Sequence, residues 1–304
     1  MNATAVSARL RGLEVSERLF RRLAVAAAVM LLVIVATGAT VRLTASGLGC
    51  EHWPGCQPGD PFPKKGYHSY VEFSNRVVAF FTVLVTLGAW VASLLAPFVP
   101  RLTRRLAGAV FVGTLAQAPL GAITVYYHLN PWLVITHLLL SLAVLGGGVL
   151  VALSTFPRPP TPAPRRLAQA SLVPLLALGT LLVSGTVVTG SGPHPGGADV
   201  RRLGSFQPAI ELHVRATAVF GTTLLVLLVW AWRERDRLRW AVRGGLVVLG
   251  LLLCQMAVGE TQYRTALPWW LVLIHVTLAA AVWAAAVTLV ASLWRSRTAP
   301  LQGA

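Results

Sequence analysis

Three histidines are the residues of this 304-residue chain best placed to do chemistry. His137 and His275 lie inside apolar segments, and His213 lies at the start of another. Ionisable side chains are costly in hydrocarbon and therefore mark functional sites. Two histidines at one depth on facing helices can supply both axial nitrogens of a haem iron, and we predict this role for His213 and His275. The alternative role for each histidine is a hydrogen bond between helices.

The first half of the chain holds a less complete set of candidate ligands. His137 corresponds to His275, but the residue corresponding to His213 is Asn75, and an amide is a poor ligand for iron. Glu72 precedes Asn75 by three residues, so the two share a face on a continuous helix. A carboxylate at a membrane-edge cavity can take a proton or stabilise positive charge. The alternative for Glu72 is a helix-start carboxylate favoured by the helix dipole.

An internal repeat relates these residues. One shift of 138 residues joins the pairs Gln117 and Gln255, Gly121 and Gly259, His137 and His275, and Asn75 and His213. A weaker echo joins the Thr37-Gly38 and Ser184-Gly185 pairs. The repeat predicts two four-helix halves in parallel orientation, because an even number of spans separates equivalent points.

Two cysteines, Cys50 and Cys56, lie in the predicted first outer loop. The compartment outside the membrane is oxidising, so a disulfide between them is plausible. It would be either a structural staple or a redox pair, and a redox role needs a thiol partner outside the membrane. Cys254 lies in an apolar span and is expected to be inert packing. No C-x-x-C-H sequence occurs, which excludes covalent haem attachment of the c type.

Eight uncharged apolar segments of about 20 residues predict eight transmembrane helices, because that length spans the hydrocarbon core. The composition agrees, since 55% of the residues are hydrophobic and only 12% are charged, which excludes a secreted or cytosolic enzyme and a disordered chain. We therefore predict an all-α integral membrane protein. The predicted spans are residues 23–41, 77–97, 106–127, 132–153, 168–189, 214–232, 246–263 and 269–294.

The basic residues predict the orientation of the spans. Eighteen of the 26 Lys and Arg residues fall on one side, and short cytoplasmic segments retain such residues. Both termini are therefore predicted to be cytoplasmic. The same bias explains the net charge of +16, so no nucleic-acid partner is expected. The Pro-rich linker 157–166 separates an N-terminal half, residues 1–156, from a C-terminal half, residues 167–304.

Together these residues resemble the haem A synthase family, membrane enzymes that oxidise a methyl group of haem O to the formyl group of haem A. The similarity covers nearly the whole chain, and the first-loop motif is its specific part. The matching pieces are residues 38–50 with Trp53, Pro54 and Cys56, residues 72–76, residues 131–137, His213 and residues 267–275.

The resemblance implies a pseudo-symmetric eight-helix bundle with haem b as cofactor between His213 and His275 in the second half. It implies that haem O is oxidised in the first half near His137, with Glu72 as the catalytic carboxylate. It also implies that the two cysteines form a functional pair. The implied setting is a prokaryotic plasma membrane. The implied partners are the lipid bilayer, haem O synthase and cytochrome oxidase assembly factors, and a homo-oligomer is compatible with the sequence.

Two arginines are candidate contacts for haem propionates. Arg76 and Arg215 each follow a ligand-equivalent position, by one and two residues respectively, and the alternative for both is a contact with lipid headgroups. Arg76, with Asn75 and His137, would belong to the substrate site, and Arg215 to the cofactor site.

The sequence departs from the family pattern at Asn75, where many members carry a histidine. The departure puts binding of the substrate haem by two histidines in doubt, and His68, one turn before Glu72, is the candidate replacement ligand. Two other function classes stay open. A b-type cytochrome that takes electrons from quinol would need two complete histidine pairs. A haem transporter or chaperone would leave Glu72 and the cysteine pair without a task.

Overall fold

The computed structural model describes residues 15–50, 52–53, 55–64, 66–197 and 200–298. Both chain ends, and with them the prediction that the termini are cytoplasmic, lie outside the described residues, as does Pro54 of the first-loop motif. Nine α-helices form in the described part: α1 Glu17–Leu43, α2 Tyr67–Leu95, α3 Arg101–Tyr126, α4 Pro131–Ser154, α5 Arg165–Ala170, α6 Leu172–Ser191, α7 Phe206–Arg233, α8 Arg235–Arg264 and α9 Trp269–Arg295. A 3₁₀ turn, Ser296–Thr298, follows α9.

Eight helical segments are long and apolar enough to cross a membrane within the described residues. They are α1 to α4, the segment Arg165–Ser191 that joins α5 and α6, and α7 to α9. The described residues contain no strand beyond a single bridge between Gln57 and Asp60. These findings confirm the all-α class and the eight predicted spans.

Most spans begin earlier than the charges predict, and the difference is largest, at eight residues or more, for α2, α7 and α8. Helix α2 begins at Tyr67 rather than residue 77, because Glu72 and Arg76 pair with each other at i,i+4 inside it. Helix α7 begins at Phe206, so His213 lies two turns inside the helix rather than at its start. Helix α8 begins at Arg235 in the basic segment before the apolar span. The helices continue through charged turns outside the apolar segment, so the position of the nearest charged residue does not give the first residue of the helix.

The two turns that lead into α4 and α9 share one backbone conformation. His128 and Leu129 have positive φ angles of 51° and 58°, and Ala266 and Leu267 have 60° and 59°. The Leu129 amide donates to the Thr124 carbonyl at 2.8 Å, and the Leu267 amide donates to the Gln262 carbonyl at 2.7 Å. Non-glycine residues rarely adopt this conformation. Its occurrence at both turns, 138 residues apart, agrees with the predicted repeat.

The first four helices pack as a ring, in which α1 contacts α2 and α4, and α3 contacts α2 and α4. The last four pack in sequence from α6 to α9, with α6 also touching α9. The two sets meet where α1 and α4 contact α9 and where α4 contacts α6. Each set is centred on a cluster of buried apolar side chains, and the cluster of the first set also includes Ala280 of α9. Trp283 of α9 joins the sets by donating its indole N–H to the Leu142 carbonyl of α4 at 2.8 Å.

Candidate functional site

The imidazole rings of His213 and His275 face each other between α7 and α9. Their ring centres are 6.3 Å apart and their planes are inclined by 66°. A bond between a metal ion and an imidazole nitrogen is about 2 Å long, so two imidazoles on opposite sides of one iron have ring centres roughly 6 Å apart. The spacing of this pair therefore fits axial ligation of one haem iron, as the sequence predicts.

A glycine on the neighbouring helix makes room for each of these rings. A Cβ atom added to Gly185 of α6 would lie 3.1 Å from His213 Cε1, and one added to Gly259 of α8 would lie 3.0 Å from His275 Cε1. The Ser184 hydroxyl lies 3.0 Å from His213 Nδ1 and can fix the orientation of that ring. The Nδ1 atom of His275 is buried without a hydrogen-bond partner among the described residues.

A cavity of about 940 Å³ borders both histidines. This volume is at the upper end of the range for small-molecule and cofactor sites. Apolar side chains such as Leu178, Leu252 and Val276 line its inner part. Polar and charged side chains line the part near the outer helix ends, namely Arg42, Thr189, His194, Gln207, Glu211, Arg215, Glu260 and Gln262. A porphyrin has an apolar face and a carboxylate edge, and the cavity has the matching polarity.

His137 has similar surroundings in the first half. A Cβ atom added to Gly121 would lie 3.6 Å from His137 Cε1. The Nδ1 atom of His137 and the Oε1 atom of Gln117 are buried without hydrogen-bond partners among the described residues. The Gln117 amide donates instead to the Ser141 hydroxyl at 3.0 Å. His137 thus occupies a position like that of His275, with a glycine against its ring and a free Nδ1 atom.

Asn75 occupies the position like that of His213. The Thr37 hydroxyl of α1 donates to Asn75 Oδ1 at 2.7 Å, as the Ser184 hydroxyl of α6 contacts the His213 ring. The next residue of α1 is Gly38, and no described atom outside its own stretch of helix lies within 4 Å of where its Cβ would be, whereas Gly185 packs on the imidazole of His213. The first half therefore has a hydroxyl, from Thr37, and a glycine, Gly38, at the same places as the second half. Asn75 is smaller than the histidine at the corresponding position, and space remains beside Gly38.

Glu72 is buried, with a relative exposure of 5%, in the second turn of α2. Its Oε2 atom accepts the Cys50 backbone N–H at 2.8 Å, and its Oε1 atom pairs with Arg76 Nη2 at 2.5 Å. The Nη1 atom of Arg76 donates to the backbone carbonyls of His52 and Gly55. Glu72 and Arg76 therefore hold the cysteine loop against α2; Glu72 lies one turn before Asn75, and Arg76 directly follows it.

Arg215 is highly exposed in the second half. Its side chain is 80% accessible and lies 3.8 Å from Glu211 at the rim of the cavity. A long exposed ion pair of this kind contributes little to stability. Arg215 thus retains the freedom to reorient toward a bound molecule.

Cys50 and Cys56 form a disulfide whose Cα atoms are 4.4 Å apart, and both residues are buried. This observation confirms the predicted disulfide bond. Cys254 is exposed on α8, so the expectation that it is packed in the interior is wrong.

The disulfide bond predicts the reactivity of the cysteine pair. Protein purified without reductant should resist alkylation at Cys50 and Cys56, and both should label after reduction, because a disulfide sulfur is not a nucleophile. Cys254 should label to the same extent in both conditions and serves as the internal control. Mass spectrometry of the labelled peptides measures the result. Free thiols at both loop positions before reduction would contradict the disulfide.

His68 and His194 each have a local hydrogen-bond partner. His68 is exposed on the first turn of α2, and its Nδ1 atom lies 2.9 Å from the Ser46 hydroxyl. The Nε2 atom of His194 lies 2.8 Å from the Leu267 carbonyl. The sequence did not predict a role for Arg42 in this cavity. Arg42 lies in the last turn of α1 and lines the cavity of the second half. Its sequence signals were a charge at the end of an apolar span and its place in the first-loop motif, residues 38–50.

Comparison with known proteins gives consistent matches. A family model described as cytochrome oxidase assembly protein, COX15-CtaA, matches residues 21–194. A protein named heme A synthase from Shewanella oneidensis is 24% identical over 88% of this chain and 94% of its own length. One of the same name from Methylobacterium nodulans is 29% identical over 82% of this chain and 84% of its own. Another from Bacillus pumilus is 32% identical over 45% of each chain.

Proposed function

The chain belongs to the COX15-CtaA family of cytochrome oxidase assembly proteins, and we propose on this premise that it is a haem A synthase. It is a multi-pass membrane oxidoreductase that takes haem O as its substrate and oxidises one methyl group to a formyl group. The observation that supports this function best is that the two halves differ in their candidate iron ligands. The second half has two facing histidines, whereas the first half has His137, Asn75 and a nearby buried carboxylate.

The cofactor site is proposed to hold haem b between His213 and His275. The ring spacing, the two glycines against the rings and the cavity volume support this assignment. When bound, haem b supplies one-electron transfer for the oxidation. The protein contributes two fixed nitrogens, with Ser184 orienting His213, and an apolar enclosure that excludes water. Arg215 at the rim is proposed to contact a propionate.

The substrate site is proposed to lie between α2 and α4. His137 would bind the iron of haem O on one side, and Asn75 would face the other side as a weak ligand. Oxidation of a methyl carbon releases protons, and a buried carboxylate can accept them. We propose Glu72 as this catalytic carboxylate. Arg76 is proposed to bind substrate, and its contacts with Glu72 and the cysteine loop would then join substrate binding to the position of the carboxylate.

The cysteine pair is proposed to be functional through its link to Glu72. The Cys50 N–H donates to the carboxylate, so the closed loop fixes one of the two hydrogen bonds that position Glu72. A redox role would require a thiol protein outside the membrane, and a staple role would not.

The wider architecture is also a proposal. The packing of α1 to α4 and of α6 to α9, together with the repeated outer turns, supports two pseudo-symmetric four-helix halves, residues 1–156 and 167–304, joined by linker 157–166. Most arginines fall at the helix ends opposite the cysteine loop, which supports cytoplasmic termini in a cell membrane. Haem O synthase and oxidase assembly factors are the proposed protein partners, and a homo-oligomer is compatible with this arrangement.

Two rival functions have less support. A b-type cytochrome that passes electrons from quinol needs a second histidine pair, and Asn75 stands at that position. A transporter or chaperone has no use for the buried Glu72 beside a disulfide loop. The test is expression in a host that makes haem O but no haem A. Haem A should then appear in the membranes, and its absence despite inserted, haem-loaded protein would contradict the function.

A further prediction concerns Asn75. Because an amide binds iron weakly, haem O-loaded protein should give two spectroscopic classes: a low-spin signal from the second half and a high-spin or mixed-spin signal from the first. Asn75→His should convert the second class to low-spin and slow product release several-fold. The space beside Gly38 can admit the ring. Electron paramagnetic resonance separates the two classes.

The matched control for this prediction is His68→Ala, since His68 is the other candidate ligand. It should leave both signals in place, because His68 contacts Ser46. A wild-type substrate signal that is already low-spin and disappears in His68→Ala would identify His68 as the ligand and contradict the role of Asn75.

A further inference from the structure

Arg42 is a residue of the first half that lines the cavity of the second half. It lies in the last turn of α1, and the cavity that it lines is bordered by His213 and His275 of α7 and α9. The Nη2 atom of Arg42 donates to the Thr189 carbonyl in the last turn of α6. The wall of this cavity therefore includes the positively charged side chain of Arg42, which belongs to the first half of the chain.

The described carboxylates that line the cavity are paired with arginines other than Arg42. The lining carboxylate Glu211 lies 3.8 Å from Arg215, and the lining carboxylate Glu260 lies 2.5 Å from Arg264. Arg42 forms no ion pair with a carboxylate of the described residues, and the partner that it has is a neutral carbonyl. A partly buried cation at the edge of the hydrocarbon is costly unless it is paired, so this position calls for an anion.

The position of Arg42 specifies which anion fits. The carboxylates of a haem lie at one edge of the porphyrin, away from the iron. Their partner must therefore lie away from the axis between the two histidines and toward the polar end of the cavity. Arg42 lies at that end, where Gly192 and His194 also line the wall. A guanidinium group can bind a carboxylate through two parallel hydrogen bonds.

We propose that Arg42 binds a propionate carboxylate of the haem held by His213 and His275, so that the first half completes the cofactor site of the second. This inference rests on the proposed function, because it takes haem b as the occupant of the cavity. Arg215, exposed at the rim, remains the candidate for the other propionate. The two haem sites are then linked through α1, which carries both Arg42 and the Thr37 that contacts Asn75.

The test compares haem b with its dimethyl ester, in which both carboxylates are blocked. Apoprotein of the full chain in detergent is titrated with each porphyrin, and the low-spin bis-histidine spectrum reports binding. Wild type should bind the free acid about tenfold or more tightly than the ester, because a charge-assisted hydrogen bond in a site of this kind has that effect. In Arg42→Gln this preference should fall to a few-fold or less.

Two further variants make the comparison specific. Arg202→Gln removes one arginine from an exposed outer segment and should keep the wild-type preference for the free acid. Because the ester is equally lipid-soluble in both titrations, a preference lost only in Arg42→Gln cannot come from that solubility. Arg42→Lys retains the charge and should restore part of the preference. The reduction potential of the bound haem should fall in Arg42→Gln, because the unpaired carboxylate stabilises ferric iron.

Each outcome decides one of the two claims. Wild-type protein that forms no bis-histidine spectrum with either porphyrin overturns the proposed cofactor site and the inference with it. Wild-type protein that binds the acid with a preference unchanged in Arg42→Gln overturns the inference alone. Equal binding of acid and ester by wild type would show that Arg42 binds no propionate and would also overturn the inference.

Discussion

Replacing Glu72 by Gln is expected to lower haem A production by about 10²- to 10⁴-fold, the range for loss of a general acid or base, while haem b binding persists. Glutamine keeps the size of the side chain and an oxygen that can accept the Cys50 N–H, but it loses the negative charge and the ion pair with Arg76. The measurement is the haem A content of membranes in a haem O-producing host, normalised to the amount of inserted protein.

Asp60→Asn is the matched control for Glu72→Gln. Asp60 belongs to the same outer segment, but its carboxylate pairs with Lys64 at 3.1 Å and accepts the Phe62 backbone N–H at 2.9 Å, whereas the carboxylate of Glu72 binds Cys50 and Arg76. Haem A production should stay near the wild-type level in this variant. The labelling pattern of Cys50 and Cys56 separates lost chemistry from a disrupted loop. Near-normal haem A production by Glu72→Gln would leave Glu72 with only its contacts to the loop.

Replacing either His213 or His275 by Ala is expected to abolish the low-spin haem b spectrum while the protein still inserts in the membrane. One remaining imidazole cannot give two axial ligands, and the vacated volume would loosen the cavity. Optical spectra of purified protein and its haem-to-protein ratio measure this effect. His52→Ala, an exposed histidine of the outer loop, should leave the spectrum unchanged. An unchanged spectrum in both ligand variants would remove the basis for the second-half site.

The number of spans and the identity of the candidate ligands could be predicted from the sequence because both depend on local properties. An apolar length fixes each span, and an ionisable group within it stands out by its cost. The 138-residue shift predicted that Asn75 and His213 are equivalent. The hydroxyl contacts of Thr37 with Asn75 and of Ser184 with His213 agree with that prediction.

The rest depends on contacts between distant segments. Glu72 and Arg76 hid the true start of α2 because each charge was counted alone, whereas the two pair inside the helix. Arg42 was read as the end of a span, and its place in the cavity follows from how α1 packs near the end of α6. The contact of His68 with Ser46 likewise depends on the path of the first outer loop. A spacing rule contains none of this information.

The most direct test of the central claim is the identity of the haem that the protein carries. Protein purified from a host that makes haem O should release haem b together with haem O or haem A on acid extraction, and chromatography separates the three. A haem A synthase predicts the mixture, because one haem is the cofactor and the other is substrate or product. Haem b alone, in a host that demonstrably contains haem O, would fit an electron-transfer cytochrome and contradict the account.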